Sequence, residues 1–208
     1  MKKTLLLVLM ALMSITAAEA KRRETPEEIE RKTRHYAGWE WGATGRFNLT
    51  FCELDYMRVA DNPAERAYKS LAKCGGDVLL NGGYYLNNHW RLGMEFGAQI
   101  QYDYTVVPIY ATAHYFYGTR KNCLFNFVNL GTNVLFDKGL RFGGTCAGGV
   151  GFRIQTPESR CKYDITLGYQ ALLMHPRPVI KEPYNYSPKD VRRKRFDQGV
   201  FVGFGVAF

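Results

Sequence analysis

The sequence predicts an all-β fold: an eight-stranded antiparallel up-and-down transmembrane β-barrel with a short N-terminal periplasmic helix. Three observations predict it. The last eleven residues, Gln198 to Phe208 (QGVFVGFGVAF), alternate strictly, with Val200, Val202, Phe204, Val206 and Phe208 on one face and small residues, Phe201 excepted, on the other. That length suits a tilted strand crossing a bilayer, which takes about 9–11 residues. Beyond residue 20 no apolar segment is long enough for a spanning helix, so any crossing must use strands. Finally, alternating segments recur along the chain between turn signals.

Taken in order, residues 1–20 read as a signal peptide: Lys2 and Lys3, the apolar run Leu5 to Met13, then Ala18-Glu19-Ala20 as an A-x-A cleavage site. Residues 21–36 form a charged arm. Thr25-Pro26-Glu27-Glu28 carries a Thr cap, Pro at the first helical position and Glu at the third, and Glu27 with Arg31 and Glu28 with Lys32 are i,i+4 pairs. Ile29 is its only large apolar residue, so the arm reads as a solvated periplasmic helix. Residues 37–208 are the barrel.

Strand one is expected from about Trp39 to Cys52, with Trp41, Phe47, Leu49 and Phe51 outward and Glu40, Arg46 and Asn48 inward. Strand two is expected over about Asp77 to Asn87, with a tight turn at Asn87-Asn88-His89. Strand three, Trp90 to Gln101, has the cleanest alternation in the body of the chain. Val106 to Tyr117, Leu124 to Leu135, Leu140 to Ile154 and Lys162 to Leu173 follow as strands four to seven. Pro108 is awkward in a ladder and reads as a bulge or a strand start. Asn126 shares the parity of Leu124, Val128 and Leu130, which weakens strand five.

Even-numbered connections are short, whereas Glu53 to Gly76 and Met174 to Asp197 are long, the pattern of short periplasmic turns and longer outer loops. Trp39, Trp90, Tyr117, Tyr163 and Phe208 then gather at one boundary as an interfacial girdle. A lipocalin-like soluble barrel predicts neither the girdle nor the terminal Phe. Gly and Tyr are abundant, 21 and 14 residues. The net charge of +9 suits anionic lipopolysaccharide or surface glycans; an exported chain rarely meets nucleic acid.

The signal peptide, the eight alternating segments, VVPIYATAHYFYG (Val106 to Gly118), GGTCAGGVGFRI (Gly143 to Ile154) and the terminal FGVAF resemble the small eight-stranded outer-membrane β-barrel family common in Bacteroidota, of OmpX-like architecture. The resemblance covers about residues 38 to 208 and implies fold, outer-membrane location and insertion by a barrel-assembly machinery, with Phe204, Val206 and Phe208 as the insertion signal. It implies no activity.

Inward parity collects Glu40, Arg46, Arg91, Glu95, His114, Arg141, Arg153 and Asp164. Eight strands leave an interior that side chains fill, so a salt-bridged core is expected in preference to an ion path. His114 reads as a satisfied interior histidine, because no Ser shares its strand. Cys52 and Cys74 flank the first long connection and form the candidate disulfide, worth roughly 3 kcal/mol if made. The cysteine spacings resemble neither zinc nor haem sites, and no cofactor is expected. The run Arg192-Arg193-Lys194-Arg195, read as part of the last outer loop, is the candidate lipopolysaccharide contact. The expected function is therefore structural or surface-interacting rather than enzymatic. The alternatives are a lipid A-modifying enzyme and an accessory subunit of a secretion or transport complex, with Lys21 to His35 docking a periplasmic partner.

Overall fold

The computed structural model describes residues 38–59, 65–101, 104–136, 140–155, 160–176 and 191–208, with positions 27, 30 and 33 ahead of them. The expected signal peptide and most of the expected arm lie outside the described residues. Residues 34–208 form a unit of their own. It consists of β1 (Gly38–Val59), β2 (Glu65–Tyr85), β3 (Trp90–Gln101), β4 (Tyr104–Phe116), β5 (Cys123–Phe136), β6 (Leu140–Gln155), β7 (Lys162–Met174) and β8 (Val191–Ala207). Each strand pairs antiparallel with the next, and β8 closes on β1.

Closure removes every edge from the transmembrane part, as a lipid-exposed sheet requires. At the seam Gly45 lies opposite Phe204, and the Phe208 N–H donates to the Trp41 carbonyl at 2.8 Å. The alternation becomes an inside and an outside. Phe47, Val78, Met94, Leu130, Phe142, Leu167 and Phe204 are exposed outward, while Glu40, Arg91, Gln99, Asn129, Arg153 and Gln170 are buried inward. The girdle forms as expected, with Trp39, Trp90, Tyr117, Tyr163 and Phe208 all exposed at the end that carries Gly38 and the C-terminus. At that terminal end the Asn87 side-chain oxygen accepts from the N–H groups of His89 and Trp90, both at 2.8 Å, which sets the β2–β3 turn.

Several sequence expectations need correction. Glu53 to Gly76 is not a long loop: β1 and β2 continue as a paired hairpin, with only 60–64 between them. A bulge between Thr50 and Cys52 shifts the register there, so both Cys52 and Glu53 are buried, and the change of parity hides the strand from a period-2 reading. β8 likewise begins at Val191, seven residues before Gln198. Pro108 causes no bulge: β3 and β4 keep one register on both sides of it, and the missing N–H interrupts the ladder between the Phe96–Ile109 and Gln99–Val106 pairs. Asn126 does point outward, where its side-chain amide donates to the Tyr117 hydroxyl at 2.6 Å.

The extensions make the far end uneven. β2 pairs with β3 only from Gly75 to Tyr85, and β8 with β7 only as far as Arg195. Beyond those points β8, β1 and β2 continue as a three-stranded wall.

Candidate functional site

Inside the barrel, polar side chains assemble in layers. Nearest the terminal end, Glu40 on β1 meets Arg91 Nε at 3.1 Å, Arg153 Nη1 at 3.0 Å and Lys162 Nζ at 2.5 Å, and accepts from the Tyr85 hydroxyl at 2.9 Å. Arg153 also donates to both Asp164 oxygens, at 2.7 and 2.6 Å. Three cations thus surround two carboxylates, all close to fully buried except Asp164.

An aromatic layer follows. Phe116, Phe125, Phe127 and Phe201 fill the lumen, and Arg153 lies over the Phe116 ring at 4.9 Å. Phe201, the one large residue on the small face of β8, fits because Gly168 faces it: a Cβ there would sit 2.6 Å from the Phe201 ring. His114 stacks on Phe125, centroids 5.4 Å apart.

In the middle, Arg46 Nη2 reaches Glu95 at 2.6 Å, and Asn129 donates to the same carboxylate at 2.9 Å. Asn48 donates to Asp77 at 2.9 Å, and the Tyr110 and Thr145 hydroxyls share a hydrogen bond. At the far end, Arg195 bridges Glu53 at 3.0 Å and Asp197 at 2.9 Å, Lys73 reaches Glu53 at 2.9 Å, and the Tyr104 hydroxyl donates to Asp197 at 2.9 Å. These layers fill an eight-stranded lumen from wall to wall.

Of the expected lumen residues, Glu40, Arg91, Arg153 and Asp164 share one cluster and Arg46 with Glu95 another. Arg141 stays apart, donating to the His175 carbonyl at 2.9 Å near the far end. His114 is interior, but not satisfied: neither ring nitrogen has a hydrogen-bond partner among the described residues, because aromatic rings surround it. Sequence reading missed Tyr85, Lys162, Asp77, Glu53, Asp197 and Tyr104. Their inward parity was available for Asp77 and Tyr85, whereas Glu53 and Asp197 fell in stretches read as loop.

The basic run is divided by its strand. Arg193 turns inward to pair with Asp55, and Arg195 is buried in the lumen. Arg192 and Lys194 remain exposed on the outer face, next to Arg58 and Tyr56 of β1, their register partners. The four expected contact residues therefore do not share one face: of them only Arg192 and Lys194 are exposed outward, with Arg58 beside them. The Cys52–Cys74 bridge is also corrected: neither is in a disulfide, Cys52 being buried and opposite Ser70, and Cys74 exposed and opposite Leu49, three residues away from Cys52 along β1. An offset of three residues, roughly 10 Å along the strands, exceeds the Cα separation of about 4.4–6.8 Å that a disulfide allows. Phe204 and Phe208 are exposed to the outside, and Val206 partly so.

A closed antiparallel barrel with an apolar outside and a filled polar inside is the fold of the small eight-stranded outer-membrane β-barrels. No protein-family model matches the chain, and no curated protein does. Among solved structures it is similar to the outer membrane protein OprG from Pseudomonas aeruginosa, with 13% identity and a TM-score of 0.53 over 84% of this chain and 98% of that one. It is also similar to Neisserial surface protein A, 16% identical with a TM-score of 0.37 over 80% and 97% of the two chains. The attachment invasion locus protein Ail of Yersinia pestis is 13% identical with a TM-score of 0.37 over 83% and 100%. The similarity to OprG is one of fold.

Proposed function

We propose that this protein is an integral outer-membrane barrel, exported through a cleaved signal peptide at 1–20, that acts by surface contact rather than catalysis and holds lipopolysaccharide phosphates on its outer face. The far end is then the outer side. The observation that carries this reading is the sorting of cations above the apolar belt. Arg193 and Arg195 are neutralised by Asp55, Glu53 and Asp197 inside, whereas Arg58, Arg192 and Lys194 are exposed together on the lipid-facing side of the wall. Three cations just above the head groups, on side chains long enough to reach down to them, attract phosphates, each worth about 1 kcal/mol near an anionic surface. The Bacteroidota barrels remain the proposed relatives, on the VVPIYATAHYFYG, GGTCAGGVGFRI and FGVAF segments. His114, enclosed by aromatic rings, gives a lipid A-modifying reaction no base on the lipid side.

The test is the triple variant Arg58→Gln, Arg192→Gln, Lys194→Gln in lipid nanodiscs. Affinity for lipopolysaccharide is expected to fall and its salt dependence to flatten, with heat-modifiable gel migration retained. Unchanged binding at low salt sinks the reading.

A further inference from the structure

The outer surface of the barrel carries a groove of about 1140 Å³ between the exposed side chains of Phe47, Val78, Ile100 and Phe204. Two glycines set its floor. Gly45 has Val78 and Phe204 as register partners, and Gly76 has Phe47 and Ile100. Space at Gly45 is open: an added Cβ would meet nothing within 4 Å.

Its depth in the bilayer follows from β1. The outward apolar face of that strand runs from Trp39 to Phe51, and Gly45 is its midpoint. At ~3.3 Å per residue and a tilt of about 40°, each half spans ~15 Å, half of the ~30 Å hydrocarbon core. Gly45 therefore lies at the midplane. Gly76, level with Phe47, is further out, and the groove opens outward where β3 stops at Gln101 while β2 continues. A groove that starts at the midplane and opens outward takes a chain from the outer leaflet.

Charge points to which chain. Ten to thirteen residues beyond Gly45 and its partner Phe204, on the same face of β1 and β8, are Lys194, Arg192 and Arg58. Their backbones lie roughly 25–30 Å higher along the bilayer normal, just above the head groups that end at about 20–22 Å and within reach of them for a long basic side chain. We infer that the groove and these cations form one site for a phosphorylated, acylated saccharolipid of the lipid A type, one acyl chain seated over Gly45 and Gly76 and a phosphate held at the cations. The inference rests on the phosphate-holding reading above and adds the acyl half of the site.

Packing rather than water exclusion selects the chain, since the competing phospholipid tails are equally apolar. Shape at Gly45 is therefore the discriminating feature. The test uses the full chain in phosphatidylcholine nanodiscs doped with lipid A, with retained lipid read by native mass spectrometry. Gly45→Leu is expected to lower lipid A retention about tenfold, Gly45→Ala less, and both to leave binding of the fully deacylated phosphosugar unchanged. Equal lipid A retention in a correctly folded Gly45→Leu barrel overturns the acyl site. So does a wild-type dimer that Gly45→Leu splits, because the groove would then seat a second copy. Failure of the wild type to bind the deacylated phosphosugar overturns the phosphate-holding reading instead.

Discussion

Neutralising Glu40 should be the most damaging single change in the lumen. Its carboxylate is 1% exposed and receives Arg91, Arg153 and Lys162 at 3.1, 3.0 and 2.5 Å, with the Tyr85 hydroxyl at 2.9 Å. Glu40→Gln keeps the shape and removes the charge, leaving Asp164 as the one carboxylate among three cations of that cluster. Breaking a buried pair by removing one partner costs about 3–5 kcal/mol, and Glu40 serves three partners at once, so the upper part of that range applies. Lys162→Met should cost distinctly less, because it leaves two cations against two carboxylates. The assay is reversible urea unfolding from phospholipid vesicles, followed by tryptophan fluorescence and gel migration. A loss below about 1 kcal/mol for Glu40→Gln, or a larger loss for Lys162→Met, refutes the charge argument.

Other expectations follow from packing and topology. Gly168→Leu should cost about 1–3 kcal/mol and slow barrel formation, since Phe201 occupies the space its side chain needs; adding Phe201→Ala should recover part of the loss, measured in the same unfolding assay. Cys74 should react with a membrane-permeant maleimide without reductant and Cys52 only after unfolding, each located by peptide mass spectrometry. A Cys52–Cys74 cross-linked peptide would contradict the register.

What the sequence made legible was whatever obeys a period of two. β3 was bounded at Trp90 and Gln101, and the ion pairs of Glu40 and Arg46 were foreseeable as inward charges, because alternation states the face of each residue. The partners were not legible, since which cation meets Glu40 depends on where β2, β3, β6 and β7 curve round the lumen. The far end was hidden for a different reason. Above the lipid belt both faces of a strand can be polar, so Glu53 to Gly76 and Val191 to Asp197 lose the apolar rhythm while keeping the ladder, and the Thr50/Cys52 bulge inverts the parity where it would have helped. The run Arg192 to Arg195 looked like one patch for the same reason: in a loop four cations are neighbours, in a strand they belong to opposite sides.

The unequal strands have a consequence for how the molecule meets its surroundings. β1 is 22 residues long and β3 only 12, so the rim differs in height by about 25 Å between one side and the next. A cylinder diffusing in a plane has no heading, and neighbours can approach it from any bearing with equal result. This one has a prow. Whatever sits beside β8, β1 and β2 meets a tall screen, whatever sits beside β3 and β4 meets a low sill, and encounters in the plane are sorted by bearing before any side chain is touched.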